Sequence, residues 1–160
     1  MAATISIRSA STRDIAGIVS LLNAAFAMEW DFMAKDRTSA SEIERYMTTG
    51  TFFVVDGAGG LDACMYLEQR VDRMYLGMLA VAPGQQGSGL GRRMMAEAER
   101  HAAAMGCHAL DIRIVNRRTE LPPFYRKLGF VDNGTEPLDD PKLTKPAHFI
   151  RMTKAIGAGG

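Results

Sequence analysis

The chain has 160 residues, 47% of them apolar and 23% charged, and a formal net charge of +1. This is the size and balance of one globular domain with a real core. Nothing in the bulk charge points to a nucleic-acid or membrane surface, so neither partner is expected. The two cysteines, Cys64 and Cys107, lie far apart in apolar surroundings with no zinc-type spacing around them. They read as buried reduced thiols, and no metal is expected. The first twelve residues contain no apolar signal region and no run approaches 18 apolar residues, which leads to an expectation of a cytoplasmic protein.

In chain order, residues 4–8 alternate, with Ile5 and Ile7 on one side, and predict a short strand. Ser11 or Thr12 caps a helix whose apolar face is Ile15, Ile18, Val19, Leu22 and Phe26. Residues 27–38 mix aromatics and charges without a period. Ser39 to Glu42 is a capping-box pattern opening a second helix that runs to about Met47. Residues 51–56 form a β-branched and aromatic strand, and the glycines at 57, 59 and 60 make a hairpin into a return strand over residues 61–70. A turn at residues 71–73 leads to a third strand over residues 74–81. A glycine-rich turn follows, and from Leu90 the spacing is helical, with Leu90, Met94, Ala98, Ala102 and Met105 on one face. Residues 108–115 predict a strand, Leu121 onward a helix with prolines in its first turn, and residues 130–131 the start of another strand. A loop then spans residues 136–146, and residues 148–154 predict the last strand. The order is β-α-α-β-β-β-α-β-α-β-β, a single α/β domain over residues 1–154 with a frayed tail at 155–160. The strands over 74–81 and 108–115 are joined by a helical crossover and should lie parallel, with the glycine loop at the carboxyl end of the first.

The loop Gln86-Gly87-Ser88-Gly89-Leu90-Gly91 carries the chemistry. Glycines permit positive φ and close approach to the backbone. The unpaired amides and positive dipole at the helix start suit a phosphate. Arg92 and Arg93 in the first turn make better sense beside an anion. No Lys follows the glycines, so this is not a P-loop; Arg92 stands where a dinucleotide fingerprint needs its third glycine.

The remaining pattern, Q/R-x-x-G-x-G/A, is met by Gln86, Gly89 and Gly91 after a V-x-P strand end. It resembles the acetyl-coenzyme A motif of the GNAT N-acetyltransferase superfamily. Asn116 and the run LPPFYRKLGF at 121–130 resemble that family's second signature, and the first strand and helix and the last strand are also similar. The chain departs from the pattern at Leu121-Pro122, where small residues are common, and at Leu61-Asp62-Ala63, where many members carry Gly.

The resemblance implies a mixed, mostly antiparallel sheet flanked by about four helices, with two parallel strands splayed apart. Acetyl-CoA would enter that gap. Leu79, Ala80 and Val81 would pair with its pantetheine amides. The amides of Gln86, Gly87, Ser88, Gly89, Leu90 and Gly91 would hold the pyrophosphate with help from Arg92, and Asn116 would bond the pantetheine arm. A backbone N–H near Leu79 would stabilise an oxyanion. Tyr125 matches the family's general acid, which protonates the departing sulfur; without the motif it reads as a packed aromatic. The base is open: Glu68 is the foremost choice, ahead of Glu29 and Asp31, and each also reads as a surface carboxylate. Glu29, Trp30, Phe32 and Tyr75 are expected to line an acceptor pocket. The implied reaction is direct acetyl transfer to the primary amine of a small molecule. The alternatives are a protein or peptide acceptor, and a non-catalytic acyl-CoA sensor. A homodimer is implied only by the habit of family members.

Overall fold

The computed structural model describes residues 5–27, 32–33 and 38–157. Seven strands form one sheet in the order β1-β2-β3-β4-β5-β7-β6. They are β1 (Ile7–Ser9), β2 (Thr51–Gly57), β3 (Gly60–Arg70), β4 (Arg73–Val81), β5 (Ala109–Val115), β6 (Val131–Pro137) and β7 (His148–Ala155). The helices are α1 (Ile15–Ala25), α2 (Ala40–Tyr46), α3 (Leu90–Ala104) and α4 (Leu121–Lys127). The element order is the expected one. The pairing of β4 with β5 is parallel, while the other strand pairs are antiparallel.

Alternation along the central strands builds two cores. Met65, Leu67, Met74, Leu76, Leu110, Ile112 and Ile114 point to one face, where they meet Leu90, Met94, Met95, Ala98 and Ala102 of α3 and Tyr125 of α4. Burying each of the large α3 side chains contributes ~1.5–3 kcal/mol. Cys64, Tyr66 and Ala80 turn to the other face, under α1 and α2, with Ile18, Leu22 and Ile43. Both thiols are buried and unpaired. Burial pushes the Cys64 thiol up to about 12, which keeps it protonated and inert.

Several boundaries differ from the sequence reading. Met105 follows the last turn of α3 and is exposed, because Gly106 at φ 80° ends the helix there; Met95 takes a place in the core instead. β6 runs to Pro137 where a loop was expected, since it pairs with the first residues of β7. At the other end, Ala155 pairs with Ala109 and the Ile156 amide donates to the His108 carbonyl at 2.9 Å. The sheet thus holds two residues assigned above to a loose tail. The first strand is shorter than expected and begins at Ile7.

The start of α1 is tied to the sheet by ion pairs. Arg8 reaches Asp14 at 2.8 Å and Asp56 at 2.8 Å, and Asp14 accepts from the Ser11 amide at 2.9 Å. The Arg8 hydrogen bond, then the Ser11 amide, hold the Asp14 carboxyl down at about 2. A carboxyl lowered in the folded state stabilises the fold fully above its unfolded value, near 3.8, and that contribution is lost as pH falls through about 2. Urea unfolding between pH 5 and 2 should therefore show falling stability in the wild type. The slope should be shallower in Arg8→Gln; parallel curves would remove this pair from the acid response.

Candidate active site

β4 and β5 pair only from Arg73 to Tyr75 against Ala109 to Asp111. Beyond Tyr75 the two strands part, although β4 continues to Val81 along β3 and β5 continues to Val115 along β7. The result is a V-shaped gap of about 510 Å³, with Leu76 to Val81 on one wall and Ile112 to Val115 on the other. This volume lies in the range of small-ligand sites. A bulge shapes the β4 wall. Tyr66 faces Gly77 and Cys64 faces Ala80, so Met78 and Leu79 together oppose Met65. Met78 takes φ 50°, an uncommon conformation for its residue type. The bulge breaks the alternation of β4 where it leaves β5, and Leu79, Ala80 and Val81 line the gap.

At the mouth, Val81 leads through a 3-10 turn, Pro83–Gln85, to the glycine loop and α3. Gln86 and Gly91 line the cleft. Gly87 and Gly89 hold φ values of 85° and 86°. Ser88 closes the turn, its hydroxyl donating to the Gln85 carbonyl at 2.6 Å and its amide to the same oxygen at 3.2 Å. The Leu90 side chain is buried in the core, which leaves its backbone to the loop. Among the described residues, no acceptor takes the amides of Gly87, Gly89, Leu90, Gly91 and Arg92. Arg92 and Arg93 are exposed, and neither forms an ion pair with a described residue. Clustered free amides, a helix N-terminus and two unpaired guanidinium groups form an anion cradle.

On the β5 side, α4 brings Leu121, Phe124 and Tyr125 to the cleft. The Tyr125 ring is 8% exposed and stands edge-on to Phe124 and Phe130. Its hydroxyl has no hydrogen-bond partner among the described residues. Burial pushes the phenol up to about 12, so it is a proton donor across the neutral range.

The other expected site residues separate. Tyr75 lines the cleft. Phe32 is buried and does not line it; its carbonyl accepts from the Thr144 amide at 2.8 Å, which holds it against another loop. Glu29, Trp30 and Asp31 lie outside the described residues. Asn116 also falls outside the lining. Its amide donates to the His148 carbonyl and its Oδ1 accepts from the His148 amide, both at 2.8 Å, so it ties the end of β5 to the start of β7. Glu68 stands behind Tyr66, whose hydroxyl donates to Glu68 Oε1 at 2.6 Å, while Arg70 donates to Oε2 at 2.6 Å. Burial alone would raise the Glu68 carboxyl, but the Tyr66 and Arg70 hydrogen bonds outweigh it and hold it below the ordinary range. Tyr66, unlike Glu68, reaches the cleft.

Sequence reasoning missed Phe26, Tyr46, Tyr66, Arg113, Arg118 and Phe149, all of which line the gap. The alternation of β5 held a signal for one of them: Ile112 and Ile114 are core, so Arg113 must face the other way.

Comparison with known proteins agrees with this geometry. The chain superposes on the ribosomal-protein-S18-alanine N-acetyltransferase of Escherichia coli with a TM-score of 0.78 at 20% identity, covering 98% of this chain and 97% of that one. Nourseothricin acetyltransferase superposes with a TM-score of 0.76 at 18% identity, over 96% and 99% of the two chains. The yncA protein of Salmonella typhimurium, solved with its cofactor acetyl-CoA, gives 0.72 at 19% identity over 96% and 95%. At these identities the likeness is one of fold. The family itself comes from the sequence of the cleft and its strands: residues 48–132 match the model of the acetyltransferase (GNAT) domain, and the chain belongs to that family.

Proposed function

We propose that this protein transfers the acetyl group of acetyl-CoA to the primary amine of a small molecule. The observation that carries the reading is the gap between β4 and β5, with a cradle of free amides at its mouth and a free phenol on its wall. Acetyl-CoA supplies the activated thioester. The amides of Gly87, Gly89, Leu90 and Gly91, with Arg92, suit its pyrophosphate. From Leu79 to Val81 the edge of β4 has no strand beside it on the β5 side, and only a long 3.4 Å bond from Gln86 Nε2 reaches the Val81 carbonyl, so this edge suits the pantetheine amides as an added strand would. Asn116 serves indirectly, by fixing the end of the β5 wall.

Each chemical role falls to a named group. A backbone N–H at the bulge, near Leu79, stabilises charge on the carbonyl oxygen. Tyr125 gives its proton to the sulfur as the carbon–sulfur bond breaks. The amine must lose one proton to attack. In this reading Glu68 takes it through the Tyr66 hydroxyl, which donates to Glu68 Oε1 at 2.6 Å and passes one proton on as it receives another. Holding both reactants in one cleft contributes up to about 7–11 kcal/mol in ideal cases.

Thiol release from acetyl-CoA, measured with a panel of small amines and of peptides, tests the reading. A small amine should stimulate release and carry the acetyl group away. Stimulation by peptides alone would favour a protein acceptor. CoA binding without turnover on either panel would favour a sensor.

A further inference from the structure

Among the described residues, the charged side chains lining the gap are Arg113, Arg118 and Glu120. Arg118 and Glu120 pair with each other at 3.3 Å. That leaves Arg113, two residues beyond the last β4–β5 pair, where the strands begin to part.

Arg113 is held in place with its fork unspent. Its guanidinium lies over the Phe149 ring at 4.4 Å and near the Tyr75 ring at 5.7 Å, and its Nε donates to the Tyr75 hydroxyl at 3.2 Å. Aromatic packing of this kind fixes the plane of an arginine without using its terminal N–H groups. Neither Nη donates a hydrogen bond to a described residue. Its ion pair, with Glu136, is loose at 3.5 Å, against the bidentate contacts of 2.7 Å that Arg73 makes with Asp111.

The neighbourhood is cationic by construction. Arg151 sits directly across from Arg113 in the β5–β7 register, on the same sheet face. Like charges facing across a ladder are destabilising. Glu136 is shared between them, 3.5 Å from one and 3.7 Å from the other. Among the described residues, one carboxylate therefore answers two guanidinium groups. A second hollow continues from Tyr75 and Arg113 past Arg70, Arg73 and Arg151.

From this we infer that the acceptor carries a carboxylate beside its amine, and that Arg113 binds that carboxylate through its terminal N–H groups as a specificity-determining residue. A planar fork and a carboxylate match bidentately. A polycationic amine would meet Arg113 and Arg151 as repulsion, so the same arrangement rejects it. Tyr75 and Phe149 flank the site and suit an apolar or aromatic side chain. The inference deepens the acetyltransferase reading and rests on it for the identity of the amine as the acceptor.

The test separates binding from transfer. CoA-saturated protein is titrated by calorimetry with each of the common L-amino acids and with the matching methyl esters, which keep the amine and lose the carboxylate charge. At least one free acid should bind at least 10-fold more tightly than its ester. Arg113→Gln should abolish that preference and leave CoA affinity unchanged, while Arg113→Lys should restore part of it. Equal affinity for acids and esters across the panel, or a preference that survives Arg113→Gln, would overturn the inference. The acid that binds best is then assayed with acetyl-CoA for thiol release. If it binds through Arg113 and is not acetylated, the carboxylate site stands and the acetyl-transfer reading fails.

Discussion

Replacing Tyr125 by Phe is expected to lower kcat by about 10²-fold or more, the usual worth of a positioned proton donor, with CoA affinity unchanged. The substitution removes one hydroxyl and keeps the ring. The edge-on contacts with Phe124 and Phe130, at 5.1 and 5.6 Å between centroids, belong to the ring. No described residue hydrogen-bonds the hydroxyl, so its loss orphans no partner and the fold should hold its melting temperature. The size of the kinetic effect follows from matching acidities. A cysteine thiol in water has a pKa of about 8.5, well below a phenol raised to about 12. A proton would not leave such a phenol for a solvated thiolate. Partial removal from water in the cleft makes a thiolate a stronger base, in the direction burial takes the Cys64 thiol in the core, and narrows that difference. Because the phenol stays protonated through the neutral range, it should impose no fall in kcat between pH 6 and 9. Steady-state rates with saturating acetyl-CoA, together with calorimetry of CoA on both proteins, check the prediction; wild-type turnover in the variant would remove Tyr125 from the chemistry.

The parts of this molecule legible in its sequence are those written in local patterns. The 3.6-residue spacing from Leu90 to Ala102 marks the buried face of α3 because a helix periodically returns the same side to the core. The glycines at 87 and 89 mark positive φ because other residues resist it. The parallel pairing of β4 and β5 follows from the helical crossover between them. What stayed hidden depends on the whole chain. No local pattern says that β7 inserts between β5 and β6, since that is decided by pairing across distant segments. The bulge at Met78 was invisible because Met has no preference for its φ of 50°; β3 imposes it through the register on either side. Glu68 and Asn116 stand out by residue type alone. Only the fold shows that the carboxylate meets the cleft through Tyr66 with Arg70 on its other oxygen, and that the Asn116 amide oxygen accepts from the His148 amide. Arg113 is illegible in the sequence for the opposite reason. Arginines on strands are ordinary, and its distinction lies in unspent donors and in the arginine facing it on β7.

The glycine loop gives the second large effect: Gly89→Val should weaken CoA binding by roughly 10–100-fold. Gly89 caps α3 with φ 86° and ψ 3°. An added Cβ there would meet no atom within 4 Å, so crowding is no obstacle. The backbone is the obstacle. A β-branched residue at this φ is strained by about 1–3 kcal/mol, and the chain can relieve the strain only by turning Gly89 toward negative φ. That rotation re-aims the amides of Leu90 and Gly91, which the helix leaves without acceptors. Hydrogen bonds to a charged group are worth about 1.5–3 kcal/mol each, so misdirecting one of them accounts for the expected loss. Part of the strain should also appear as a melting temperature lower by a few degrees. Gly84→Ala, in the same segment, supplies the contrast. Gly84 is not among the positive-φ glycines and its Cβ also meets open space, so affinity and stability should both stay near wild type. Calorimetric titration of CoA into the three proteins reads the outcome. Unchanged affinity in Gly89→Val would mean that the free amides at the start of α3 do not hold the pyrophosphate, and Arg92 and Arg93 would then be left as its candidate partners.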